Sequence, residues 1–144
     1  MPIVFHTEGP KDGSSHTRCA NVAAKFPKLP VIMAHLARDG QLETTVQVLK
    51  KHPNLYIQHM HLGYAKDEQG RTALERLVAE GLAGKILFGS DVQHDHSPLI
   101  RDAARLRAEL KKLGVDAATI ERVMHGTMEE MIARVKPVAE AAKP

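Results

Sequence analysis

Tryptophan is absent and aromatic residues make up only 3% of the 144-residue chain, so its core has to be aliphatic, built from Ile, Leu, Val, Ala and Met. A single cysteine, Cys19, excludes an internal disulfide and fits a reducing compartment. It reads as a small buried helix residue rather than a nucleophile. No apolar run approaches the roughly 20 residues needed to span a bilayer. Met1 runs straight into an apolar stretch without a basic leader, so neither a membrane span nor a signal peptide is expected, and the expected location is the cytoplasm. The net charge of +3 is small, and the basic residues alternate with acidic ones, as in Arg101-Asp102 and Arg105 to Lys112. Such interleaving describes solvated helix faces and argues against a nucleic-acid surface.

What the chain has in quantity is histidine, nine residues of 144, and several of them end apolar runs. Residues 2–6 form a Val/Ile-rich run, followed by a polar Gly/Pro loop to Ser15. Helical spacing covers 16–26, ended by Pro27, and Pro30 opens a second run, 30–35. A helix over about 41–51, a strand over 55–61, a helix near 70–82 and a strand over 85–90 follow. Ser97-Pro98 opens a long helix to about 113, Asp116 caps a short helix over about 117–124, and a last helix runs from Gly126 to about 135. The length suits one domain, expected over 1–135, with a fraying tail at 136–144.

This β-α-β-α-β-α-β-α order predicts an α/β fold with parallel strands and right-handed crossovers. The strands are apolar almost throughout, as expected where both sheet faces are covered. Four such units by themselves leave two sheet edges and one inner face in need of cover. Pairing with a second copy or a complementing partner chain would supply it.

Three of the runs deliver a metal-capable residue at the carboxyl end: Pro-Ile-Val-Phe-His6, Pro-Val-Ile-Met-Ala-His35 and Lys-Ile-Leu-Phe-Gly-Ser-Asp91. Carboxyl ends of parallel strands share one edge, where α/β proteins place their sites. Imidazole and carboxylate suit zinc, or manganese or iron. Such an ion makes water acidic and polarises a carbonyl group. Each residue taken singly reads more readily as an ordinary strand-end or loop residue, and it is the repetition that points to a site. Gln58-His59-Met60-His61 adds a His-x-His whose two rings share a strand face, as ligands, substrate contacts or simply a polar strand terminus. His94 and His96 follow Asp91 at the rim, and Glu8 follows His6. His16, His52 and His125 read as local residues beside helix ends.

Taken together, Pro2–Thr7, Phe26-Pro-Lys-Leu-Pro-Val-Ile-Met-Ala-His35-Leu, His52-Pro-Asn-Leu-Tyr-Ile and Ile86-Leu-Phe-Gly-Ser-Asp91 resemble the amidohydrolase superfamily. The nearest branch is the amidohydrolase-related group that includes aminocarboxymuconate-semialdehyde decarboxylase. The resemblance covers about residues 2–135. The segment from Val123 to Ile132 is similar to the family's closing helix start but lacks its Asn-Ala. The resemblance implies a (β/α)8 barrel of which these blocks match strands five to eight. It also implies His6 as a metal ligand, His35 as a ligand or acid-base group, and Asp91 as a ligand that handles the proton. The family's first-strand His-x-His pair has no counterpart in the matched blocks, and the fourth-strand Lys or Glu of some members has none either.

The function expected is a metal-dependent hydrolase or decarboxylase acting on a small carboxylated or carbonyl compound. His6, His35, Asp91, His59 and His61 are the candidate ligands, and Asp91 and His35 the acid-base groups. The alternative is a non-catalytic or engineered half-barrel with a structural or oligomer-forming role.

Overall fold

A computed structural model describes residues 1–7, 15–35, 42–59, 68–91 and 97–135. Its elements are β1 (Ile3–Phe5), α1 (His16–Lys25), β2 (Val31–Met33), α2 (Leu42–Lys51), β3 (Leu55–His59), α3 (Glu68–Ala79), β4 (Ile86–Phe88), α4 (Ser97–Lys112), α5 (Ala117–Glu121) and α6 (Thr127–Ala133). The four strands form one parallel sheet in the order β1-β2-β3-β4, so each βα unit adds its strand beside the last. The fold is therefore α/β, a partial barrel of four βα units with added C-terminal helices. Hydrogen bonds continue past the ladders at the carboxyl edge, from Ala34 N–H to Phe5 C=O (2.8 Å) and from Gly89 N–H to His59 C=O (3.1 Å). The chain is still paired where the site residues leave the sheet. The expected tail over 136–144, and the Asp39-Gly40 turn, lie outside the described residues.

Register assigns the side chains to two faces. Ile3, Phe5, Val31, Met33, Leu55, Ile57, Ile86 and Phe88 alternate onto one of them. There the sheet residues of β2, β3 and β4 pack with Cys19, Ala20 and Ala23 of α1, Val46 and Leu49 of α2, Leu74 and Leu77 of α3, and Leu106 and Leu110 of α4. This is the aliphatic core that the composition requires. Asn54 ties its amino-terminal side together: the carboxamide Nδ2 donates to the carbonyls of Ala23 (3.1 Å), Phe26 (3.0 Å) and Leu29 (2.8 Å), fixing the turn from α1 into β2.

The opposite face carries Val4, Ile32, Tyr56, Gln58 and Leu87. The sequence leads one to expect this inner face bare, but Ile32 and Leu87 are buried beneath Met131, with Met128 and Tyr56 against them. The cover comes from the chain's own C-terminal helix. Asp116 caps it, accepting from Thr119 N–H at 2.9 Å. The helix then passes Gly126 without a break, where two helices are expected. Residues Arg122–Gly126 form a π-helical turn, with Thr127 N–H bonded to Arg122 C=O five residues back. Gly126 itself has ordinary helical angles (φ −59°, ψ −38°), so it neither stops nor starts anything. Ile120 and Val123 join the outer core, and Met128 and Met131 reach the inner face. His125 therefore lies within a helix, exposed, with Glu121 and Glu129 one turn away on either side at 3.2 Å. Arg107 of α4 pairs with Glu121 and braces the helix from outside.

Among the described residues the β1 edge has no such cover. Val4 is 55% exposed and Ile3 37%, the reverse of β2, where all three residues are buried.

Met131 is the pivot of the inner-face cover. Met131→Ala is expected to cost about 2–3 kcal/mol in urea unfolding and to raise binding of a hydrophobic dye, since the loss uncovers Ile32 and Leu87.

Candidate functional site

The carboxyl ends of β1 and β2 bring His6 and His35 into contact. Adjacent parallel strands lie about 4.8 Å apart, so His6, one residue past β1, and His35, two past β2, meet if their side chains turn toward one another. His6 Nδ1 and His35 Nε2 are 3.1 Å apart, with one nitrogen donating to the other. The rings stand edge-to-face, centroids 4.6 Å apart and planes at 82°. His35 is buried and His6 exposed, so the pair runs from the interior to solvent.

Among the described residues the other candidates form no metal-holding group with them. Asp91 follows β4, with β2 and β3 lying between it and β1 in the sheet. It is exposed and sits in the left-handed region (φ +51°), where an Asp is tolerated at a turn. His59 is buried, in line with Leu55 and Ile57 and paired in register with Phe88. It therefore faces the helix layer, whereas Gln58 faces the inner side. Among the described residues no group of three or more His, Cys, Asp or Glu is placed to hold a metal ion. His61, His94, His96 and Glu8 lie outside the described residues.

The pair nevertheless suits two ligand positions on one ion. With zinc–nitrogen bonds of about 2.0–2.1 Å, nitrogens 3.1 Å apart subtend about 95–100° at the metal, between octahedral and tetrahedral angles. For both nitrogens to offer lone pairs, the hydrogen between them has to move to the far nitrogen of the ring that carries it.

Behind the pair lies a buried polar cluster that local sequence signals do not reveal. Thr7 and His35 grip each other: Thr7 Oγ1 donates to His35 C=O (3.1 Å) and accepts from His35 N–H (3.2 Å). His16, the first residue of α1, adds its ring from the helix side. Its Nε2 lies 3.2 Å from His35 C=O and 3.3 Å from Thr7 Oγ1, and its Nδ1 lies 2.6 Å from Thr45 Oγ1 of α2. A carbonyl oxygen can only accept, so Nε2 carries the hydrogen and Nδ1 accepts from Thr45. Burial pushes the His16 pKa below its ordinary 6.5, against the smaller upward pull of the His35 carbonyl. His16, set aside as local by its position in sequence, joins three elements.

Gly89 serves the inner face through space rather than backbone conformation. A Cβ there would lie 2.0 Å from Gln58 Nε2 and 2.4 Å from its Cδ and Cγ, so only glycine leaves room for the Gln58 side chain across β4.

Two outcomes follow from these contacts. Gly89→Ala should cost about 1–2 kcal/mol in denaturant unfolding, and most of that cost should vanish in a Gln58→Ala background. For His16, the unfolded chain takes up a proton near pH 6.5 while the folded chain resists it. Its contribution to stability is therefore complete above that value and is lost as pH falls below it, toward the lower folded value. Urea midpoints taken from about pH 7.5 down to about pH 5 should fall more steeply for the parent than for His16→Gln.

No helix among the described residues is long and apolar enough to cross a membrane. No curated protein matches the chain. A crystal structure named as a 2-pyrone-4,6-dicarboxylic acid hydrolase from Pseudomonas putida is similar at 16% identity and a TM-score of 0.48, over 82% of this chain and 50% of its own length. The chain thus spans about half the length of that protein. The family model described as amidohydrolase matches residues 2–132, nearly all of the sequence and every strand of the sheet, and the chain belongs to the amidohydrolase family.

Proposed function

We propose that the chain contributes to a metal-dependent hydrolase or decarboxylase acting on a small carboxylated or carbonyl compound. His6 and His35 would hold a divalent ion, zinc before manganese or iron, given two imidazole donors. The single observation that carries the reading is the 3.1 Å approach of His6 Nδ1 and His35 Nε2 at the carboxyl edge of a parallel sheet. When bound, the ion supplies Lewis acidity toward water and toward a substrate carbonyl. Where His35 does not hold the ion, its buried ring beside His6 would instead serve as the acid-base group, taking or returning a proton at the site. Asp91, exposed at the same edge, is the carboxylate that would take or return a proton as substrate bridges the sheet. Within the family, the sequence blocks around His35 and Asp91 support the branch that includes aminocarboxymuconate-semialdehyde decarboxylase.

A second reading has its own support. The inner face is filled by Met128 and Met131, which fits a half-barrel kept for a structural or oligomer-forming role, paired through the open β1 edge with a second copy or a complementing chain.

Titration of the metal-stripped protein with zinc, followed by calorimetry, separates the two. The enzyme reading expects saturable binding, weakened at least about tenfold in His6→Ala and in His35→Ala while circular dichroism stays unchanged. Equal binding in all three proteins would sink the ligand assignment. Absence of binding in the parent would favour the structural role. With metal loaded, carbon dioxide release from a carboxylated substrate panel distinguishes decarboxylation from hydrolysis.

A further inference from the structure

We propose that His16 is a positioning residue for the His6–His35 pair, holding the ends of β1 and β2 so that the two imidazoles keep the spacing of two ligands on one ion. The proposal rests on the metal-holding role argued above for that pair.

The argument begins with what sets the spacing. Two strand ends that leave a ladder are free to splay, and each residue past the ladder adds two soft backbone torsions. His6 is followed by Thr7, and the Thr7 hydroxyl is bonded to both the N–H and the C=O of His35. A single hydroxyl with two partners on one residue is a hinge about its own Cα–Cβ and Cβ–Oγ bonds. It sets distance but leaves the turn of one strand end against the other open. The His16 ring removes that freedom. Its Nε2–H addresses the His35 carbonyl and the Thr7 hydroxyl together, at 3.2 and 3.3 Å, from the side of α1.

The ring is itself fixed. Thr45 Oγ1 engages Nδ1 at 2.6 Å from α2, so the imidazole is held at both nitrogens and cannot flip without losing both contacts. Thr7, His16, His35 and Thr45 are all buried, so no water substitutes freely for a lost partner. The clamp links four separate pieces of chain: the segment after β1, the start of α1, the segment after β2, and α2. Everything it touches at the site end is the backbone or immediate neighbour of a candidate ligand. What His16 supplies is a directed donor at the residue that carries the buried imidazole.

Partners of this kind, which orient ligands without touching the ion, are worth about ten- to a hundredfold in metal affinity. The test uses cobalt(II) as the probe, because its visible absorption reports ligand geometry, together with nitrogen-15 NMR of the histidine rings in the metal-free protein. His16→Leu fills the space without a donor, whereas His16→Gln restores an N–H near the Nε2 position. Thr45→Val removes the hydroxyl that fixes the ring.

The expected result has two parts. In metal-free His16→Leu, the His6 and His35 ring signals move and their mutual hydrogen bond is lost, while circular dichroism is retained. Cobalt(II) affinity then falls at least about tenfold, its absorption envelope changes, and His16→Gln recovers most of both. If His16→Leu fails to fold, Thr45→Val should show the same ring and cobalt changes in weaker form. Unchanged His6 and His35 ring signals in the folded variants would overturn the proposal, as would loss in His16→Leu that His16→Gln fails to recover. Should the parent bind no cobalt, the metal reading fails, and the ring signals still decide whether His16 positions the pair.

Discussion

A parallel sheet must be covered on both faces, because its strands carry apolar side chains up and down alike. In this protein that constraint is met asymmetrically. The three crossover helices α1 to α3, together with α4, cover one face, and the other is closed by α6, which arrives after a π turn. The carboxyl edge is what remains for chemistry. There the chain stays hydrogen-bonded past the ladders, and His6, Thr7 and His35 come together.

Within that rim, adjacency decides what meets. His6 and His35 come from neighbouring strands and touch, whereas Asp91 comes from the far strand and does not. His59 shows a second rule. Its place one residue beyond Gln58 sends it to the helix side of the sheet and leaves the carboxamide on the inner face, with Gly89 making room for it. Meeting at the edge thus needs neighbouring strands, while parity within the ladder decides which face a strand residue takes.

Much of this was legible in the residues. Apolar runs bounded by Pro and Gly marked the four strands, their alternation with helical spacing gave the parallel order, and the His6–His35 approach follows from consecutive βα units. Other features were not. The three- and four-residue spacing of Ile120, Val123, Thr127 and Met131 announces an amphipathic helix, but no local pattern says that its later turns fold over the inner face. Gly126 looked like a helix boundary because glycine often is one, yet a π turn absorbs it. The clamp around His16 is invisible for a different reason. Its partners lie 9, 19 and 29 residues away, each on another element, so only the folded chain places them side by side.

The cover over the inner face also bears on association. Met128 and Met131 are tethered to the surface they occupy, so they compete for it at an effective concentration of about millimolar, whatever the amount of protein present. A second chain seeking Ile32 and Leu87 must displace a ligand that never diffuses away. One seeking the β1 edge meets no such rival among the described residues, since Ile3 and Val4 are already exposed. Dilution would therefore weaken contacts made at the edge while leaving the closure of the inner face untouched.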